Sequence, residues 1–109
     1  MAAKIFDQDG KFLARWYQFG MPSGIAINDE DMIYVFDSES DNVDNPGFEQ
    51  GIRIGDALKG WVRYFILTKG GNPATRTGSG PEFGAVDKFG NVFAGEPRPR
   101  VLRKYVKVR

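Results

Sequence analysis

The sequence predicts an all-β chain made of short strands and tight turns. Its 109 residues include fourteen Gly and six Pro, which suit turns, and nine Phe, four Tyr and two Trp, which suit a pleated, half-buried surface. No stretch repeats apolar residues at intervals of three and four over ten positions, so no helix is predicted. The apolar fraction of 41% is sufficient for one packed core.

The predicted strands pair as hairpins along the chain. Residues 4–16 contain two apolar runs around Asp9-Gly10, a dipeptide that favours the positive φ angles of a type I′ turn. The polar segment 38–50 is rich in turn formers and predicts a surface loop. The remaining strands are expected over residues 24–28, 32–37, 51–56, 61–67, 83–87, 91–95 and 100–108. In order they group as two, four and three, which is the meander of a β-propeller cut out of phase with its blades.

A segment near the N-terminus is repeated near the C-terminus. A shift of 59 residues superimposes Pro22 on Pro81 and Asp37 on Glu96. A repeating sheet unit cannot cover its own apolar faces, so each unit needs a neighbour. The same shift superimposes Ala26 on Ala85, Ile27 on Val86, Asn28 on Asp87, Ile33 on Val92 and Tyr34 on Phe93.

The repeated motif resembles the NHL repeat. Phe-Gly-x-Pro-x-Gly-Ile-Ala-Ile-Asn over residues 19–28 and Ile-Tyr-Val-x-Asp-Ser over 33–38 carry the resemblance, and Phe83-Gly84 departs from the expected Gly-Ile. The resemblance implies a fragment of about two blades of a six-bladed bacterial propeller. The resemblance covers about residues 4–109. The predicted fragment spans residues 1–109 as a single unit, with an N-terminal hairpin over 1–18, a blade over 19–67, a linker loop over 68–80 and a partial blade over 81–109.

Two missing residue types limit the chemistry. A more distant resemblance to the peptidyl-hydroxyglycine amidating lyases would imply a zinc ion held by histidines, but the chain has no histidine and no cysteine. We therefore expect no zinc-dependent lyase activity, no metal and no cofactor. A net charge of +1 predicts no nucleic-acid or membrane partner, and the absence of a signal peptide predicts a soluble, by default cytoplasmic, protein.

Six residues are candidates for a binding site. The acidic stretch 37–45 offers oxygen ligands for Ca²⁺, but it lacks the glycine and the terminal glutamate of an EF-hand loop. The favoured alternative is that Asp37 caps the turn after its strand and that the rest is a solvated loop. Arg53 lies on an apolar strand, where an unpaired charge is costly, so we expect it to pair with Asp37 or Glu39. The candidates are Asp37, Glu39, Asp41, Asp44, Arg53 and Glu96.

Two other patterns have structural interpretations. Basic residues alternate with apolar ones from Arg98 to Arg109, and such charges on a terminal strand protect a sheet edge more often than they bind phosphate. The aromatic residues Trp16, Tyr17, Trp61 and Tyr64 are expected in a core between blades rather than in a ligand platform.

The sequence thus predicts a non-catalytic module for binding or assembly. The alternative is a hydrolase or lyase with a site of Asp, Glu, Arg and Tyr side chains at the channel mouth. The C-terminal unit lacks an outer strand, and the N-terminal hairpin lacks inner partners, so copies of the chain are expected to complete one another. Six blades require a trimer, with a dimer or tetramer as the alternative; a small-molecule or protein ligand is a further expected partner.

Overall fold

The chain is all-β, as predicted. A computed structural model describes residues 1–68, 79–98 and 100–108, and these residues contain nine strands and no helix. Within this part of the chain, accordingly, no helix is long and apolar enough to cross a membrane. The strands are β1 (Ala3–Phe6), β2 (Phe12–Trp16), β3 (Pro22–Ile27), β4 (Met32–Asp37), β5 (Gly51–Asp56), β6 (Val62–Leu67), β7 (Phe83–Val86), β8 (Val92–Glu96) and β9 (Val101–Tyr105).

The strands form three antiparallel sheets in the predicted groups of two, four and three. The N-terminal hairpin is β1-β2, the central sheet is β3-β4-β5-β6, and the C-terminal sheet is β7-β8-β9. Each sheet follows chain order, so every pairing joins consecutive strands. Most of the predicted linker, residues 69–78, lies outside the described residues, as do Pro99 and Arg109.

Three hairpin turns share one geometry. The side-chain oxygen of Asp7, Asn28 or Asp87 accepts the backbone N–H groups two and four residues further on. The third residue after each has a positive φ angle: 83° at Gly10, 58° at Asp31 and 84° at Gly90. The predicted type I′ turn at Asp9-Gly10 is therefore wrong, because only Gly10 of that pair has positive φ and the Asp7 side chain stabilises a longer loop.

Both faces of the central sheet are partly covered. Its front face carries Tyr34, Phe36 and Ile52, which form a buried cluster with Val92 and Ala94 of the C-terminal sheet. Because side chains alternate along a strand, the back face carries the neighbouring residues. There, Ile33 and Val35 are buried with Phe19, against which Trp16 of the N-terminal hairpin packs.

The predicted aromatic core is only partly correct. Trp16 contacts Phe19, with ring centroids 5.8 Å apart. Tyr17, Trp61 and Tyr64 are instead exposed. Tyr17 follows the end of β2, whereas Trp61 and Tyr64 lie at or next to the edge strand β6, so none of the three is buried between two sheets in the described part of the molecule.

Candidate functional site

Asp37 lies at the end of β4 and is fully buried. Its Oδ1 accepts the backbone N–H groups of Glu39 and Ser40 at 3.0 and 2.9 Å, which caps the turn that leaves the strand. Its Oδ2 accepts the backbone N–H of Met21 at 3.2 Å and the Ser40 hydroxyl. The predicted turn cap is confirmed. A carboxylate held by this many donors is fixed in position, as a structural group requires.

Arg53 is the cationic partner of Asp37. Its Nη1 lies 2.8 Å from Asp37 Oδ2, so the predicted ion pair forms with Asp37 rather than with the exposed Glu39. Its Nη2 donates to the Glu49 carbonyl at 2.8 Å. The guanidinium lies 4.6 Å from the ring centroid of Phe65 and 4.9 Å from that of Phe48. Burial lowers the pKa of Arg53 from its usual value, while the charge of Asp37 opposes that shift.

Gly20 lets the loop before β3 pass over this ion pair. Its φ angle is 84°, a conformation that favours glycine. A β-carbon there would lie 2.2 Å from Asp37 Oδ2 and 2.6 Å from Arg53 Nη1. The glycine of the Phe-Gly motif is therefore explained by local packing, because a side chain at this position would collide with the buried Asp37–Arg53 pair.

The acidic loop 38–50 is not wholly solvated, in contrast to the prediction. Asp41 is buried, and its carboxylate accepts the backbone N–H groups of Val43 and Asp44, each at 2.7 Å. Glu39 and Asp44 are exposed. In the described residues, no group of three or more acidic side chains is placed to hold a metal ion. The loop is partly buried because hydrogen bonds to Asp37 and Asp41 fold its first turn back onto the sheet.

Glu96 repeats the same arrangement in the C-terminal sheet. It is buried at the end of β8 and pairs with Arg103 of β9. The cross-strand partner of Asp37 is Gly51, and Arg53 follows Gly51 by two positions on β5. In the same way, the cross-strand partner of Glu96 is Val101, and Arg103 follows Val101 by two positions on β9. The hydrogen bond to Glu96 raises the pKa of Arg103. The two ion pairs are thus equivalent parts of one repeated unit.

The structure brings together some candidates and separates others. Asp37 and Arg53 are in contact, and Glu96 forms its own ion pair in another sheet. The sequence analysis did not identify the roles of Ser40, Phe48, Phe65, Gly20 and Arg103. Gly20 and Arg103 left signals in the sequence, since Gly20 belongs to the repeat motif and in both units an arginine follows the acid that ends the repeated strand. A role of the six candidates in binding a ligand stays a prediction.

Comparisons of the chain with protein-family models, with curated proteins and with solved structures return no match.

Proposed function

We propose that the chain is a non-catalytic assembly and binding module that completes its sheets with further copies of itself, in the manner of an NHL-like propeller. The observation that carries this proposal is how its two repeat units pack. Val92 and Ala94 of the C-terminal sheet contact the front face of the central sheet. By the repeat they correspond to Ile33 and Val35, which belong to the back face of the central sheet. The two units therefore stack front to back.

Front-to-back stacking of the two sheets leaves the front face of the C-terminal sheet and part of the back face of the central sheet exposed. On the front face of the C-terminal sheet, Phe83 and Leu102 are exposed, Leu102 to 69%. On the back face of the central sheet, Ile25 and Ile27 of β3 are exposed, Ile27 to 57%. Large exposed apolar faces favour association, and the front-to-back contact within the chain supports pairing an open front face with an open back face. A second copy can therefore place its back face on the open front face of the first.

Charges at the rim favour the same arrangement. Within the chain, the acidic turn with Asp29 and Glu30 borders a cavity that Lys88 of the equivalent turn also lines. Stacking of two copies in the same geometry brings Lys88 of one copy next to the acidic turn of the other. This pairing steers the contact and fixes its register more than it adds affinity.

Such a contact is heterologous, so it repeats until a ring closes. Each copy contributes about two four-stranded units if the N-terminal hairpin is counted with the C-terminal sheet. Six units then close with three copies, and we propose a trimer.

The test is a pair of lysine substitutions at exposed apolar residues. Phe83→Lys places a charge on the open front face, on strand β7, and is expected to reduce association by about tenfold or more. Leu58→Lys introduces the same charge at an exposed position in the β5–β6 turn and is expected to leave association unchanged. Analytical ultracentrifugation across a concentration series measures both. Equal association of the two variants and the parent chain would contradict this stacking.

A further inference from the structure

The C-terminal sheet has an open edge next to an apolar cavity. Strand β9 pairs only with β8 in the described residues, whereas β5 at the corresponding place in the central sheet pairs with β4 and also with β6. A cavity of about 400 Å³ lies between the two sheets at this edge. Its walls include Tyr34, Ile54, Tyr64, Ile66 and Tyr105. Burial raises the pKa of both Tyr34 and Tyr105.

The N-terminal hairpin has the geometry of β5-β6. Both strand pairs carry an irregularity in register, between Ile5 and Phe6 in the hairpin and between Ile54 and Gly55 in the central sheet. Aligning the two irregularities places Lys4 on Arg53. The hairpin therefore corresponds to the third and fourth strands of a unit, and in the described residues β1 pairs with β2 alone.

Strand β9 is the third strand of the C-terminal unit, as β5 is of the central unit, because Arg103 corresponds to Arg53. Strands β1 and β9 thus occupy the same place in the repeat. Both have a basic residue followed two positions later by an aromatic one, Lys4 and Phe6 in β1 and Arg103 and Tyr105 in β9. The C-terminal sheet has two inner strands, β7 and β8, of the kind that do not accompany the hairpin in the described residues, and its own β9 occupies the place that β1 would take.

The basic residues of the hairpin are complementary to the position beside β8 that β9 occupies. Lys4 and Arg15 are cross-strand partners, and in the described part of the chain neither forms an ion pair. They line a small cavity of about 210 Å³ with Tyr17. In the other two units the corresponding basic residue meets a buried acid, Asp37 or Glu96. A cationic pair that lacks an acid is complementary to the end of β8, where Glu96 lies.

The exposed part of the back face of the central sheet also favours contact with the C-terminal sheet of a second copy. Trp16 packs over Phe19 on the back face, so the hairpin covers part of that face in its own chain. The exposed Ile25 and Ile27 lie on the inner strand β3. Inner strands are what β7 and β8 of a second copy provide, since within the chain β7 already lies against β3.

We propose that the N-terminal hairpin of one copy adds to β8 of a second copy in the place of β9, which is released. Lys4 then faces Glu96 of that copy, and Phe6 replaces Tyr105 in the apolar cavity. Strand β2 becomes the fourth strand and covers Tyr64 and Ile66, so the completed sheet has the same strand order as the central sheet. This inference rests on the proposed self-assembly and specifies which segments exchange.

The exchange is tested by fixing β9 in place. Phe93 and Lys104 are cross-strand partners, and because the chain has no cysteine, Phe93→Cys with Lys104→Cys gives one disulfide within the chain. Oxidation is expected to reduce association by about tenfold or more, because β1 cannot enter, and reduction is expected to restore it. Phe93→Cys alone, oxidised and reduced in the same way, is the control.

A second experiment traps the exchanged pair. By the register of β8 with β9, Ile5 of one copy is expected to lie opposite Phe93 of another. Chains carrying Ile5→Cys and chains carrying Phe93→Cys, mixed and oxidised, should give the mixed disulfide dimer, while Lys11→Cys with Phe93→Cys should not. If the chain assembles but neither result appears, strand exchange is overturned and face-to-face assembly stands. If the parent chain does not assemble at all, the proposed function itself fails.

Discussion

The central and C-terminal sheets contain the same ion pair in two different surroundings. In the central sheet, Asp37 accepts hydrogen bonds from two side chains and three backbone N–H groups, and the side chain of Arg53 is 7% exposed. In the C-terminal sheet, Glu96 is also buried, but the side chain of Arg103 is 38% exposed. The repeat supplies the pair, and the neighbouring segments decide how deeply it is buried.

The fourth strand accounts for much of this difference. In the central sheet, β6 contributes Phe65, which lies opposite Arg53 and stacks on its guanidinium. The C-terminal sheet has no described strand in the place of β6, so Arg103 faces the open edge. Since desolvation strengthens an ion pair and also makes it costly to break, the central pair is expected to matter more for folding.

Removing the arginine from each pair gives the largest expected contrast. Arg53→Met leaves the carboxylate of Asp37 buried without its cation, and the free energy of unfolding should fall by about 3–5 kcal/mol. Arg103→Met should cost distinctly less, because water reaches that pair. Urea denaturation of both variants measures the difference. Equal losses would mean that the fourth strand does not set the strength of the pair.

Substitution of Gly20, which lies over the Asp37–Arg53 pair, can separate the cost of steric crowding from that of backbone strain. Gly20→Ala adds a β-carbon 2.2 Å from Asp37 Oδ2 at a φ of 84°, and it should cost about 2–5 kcal/mol from strain and crowding together. Gly10→Ala is the matched control, since its φ is 83° and a β-carbon there meets nothing within 4 Å. It should cost only about 1–2 kcal/mol. Thermal unfolding that shows the same cost at both sites would contradict the crowded geometry.

The hydroxyl of Ser40 gives a smaller test of the acidic loop. It donates to Asp37 Oδ2 and accepts the side-chain N–H of Asn45 at 3.0 Å. Ser40→Ala should lower the free energy of unfolding by about 1 kcal/mol, the usual net value of such a bond. Ser79→Ala, at a half-buried hydroxyl that bonds only backbone groups in the loop before β7, serves as the comparison and should cost less. A neutral Ser40→Ala would show that the loop does not hold Asp37.

The turn between β5 and β6 gives the smallest expected effect, a dependence on pH. Backbone N–H groups of Lys59 and Leu58 lower the pKa of Asp56. A carboxylate whose pKa is lower in the folded than in the unfolded state adds stability above its unfolded pKa and loses it as the pH falls through the folded value. Asp56→Asn should therefore reduce the loss of stability measured between about pH 5 and pH 2. An unchanged pH profile would show that this turn does not contribute.

The sequence predicted the strand grouping well because turn residues and alternation are local signals. Strand β4 was predicted over its observed range, and the Arg53–Asp37 pair followed from a charge on an apolar strand. The turn at Asp9-Gly10 was mistaken because the Asp7 side chain, outside the dipeptide, decides its geometry. The stacking of Phe48 and Phe65 on Arg53 joins segments whose proximity depends on tertiary packing, so spacing along the sequence gave no sign of it.

The central claim is that the chain completes itself with further copies, and the most direct test is the native mass of the unmodified protein. Native mass spectrometry, supported by light scattering across a concentration series, should show a discrete species of three chains at micromolar concentration that dissociates on dilution. A ring with another small number of copies would change the number needed for closure but would still agree with front-to-back stacking of the copies. A well-folded monomer at that concentration would contradict the claim.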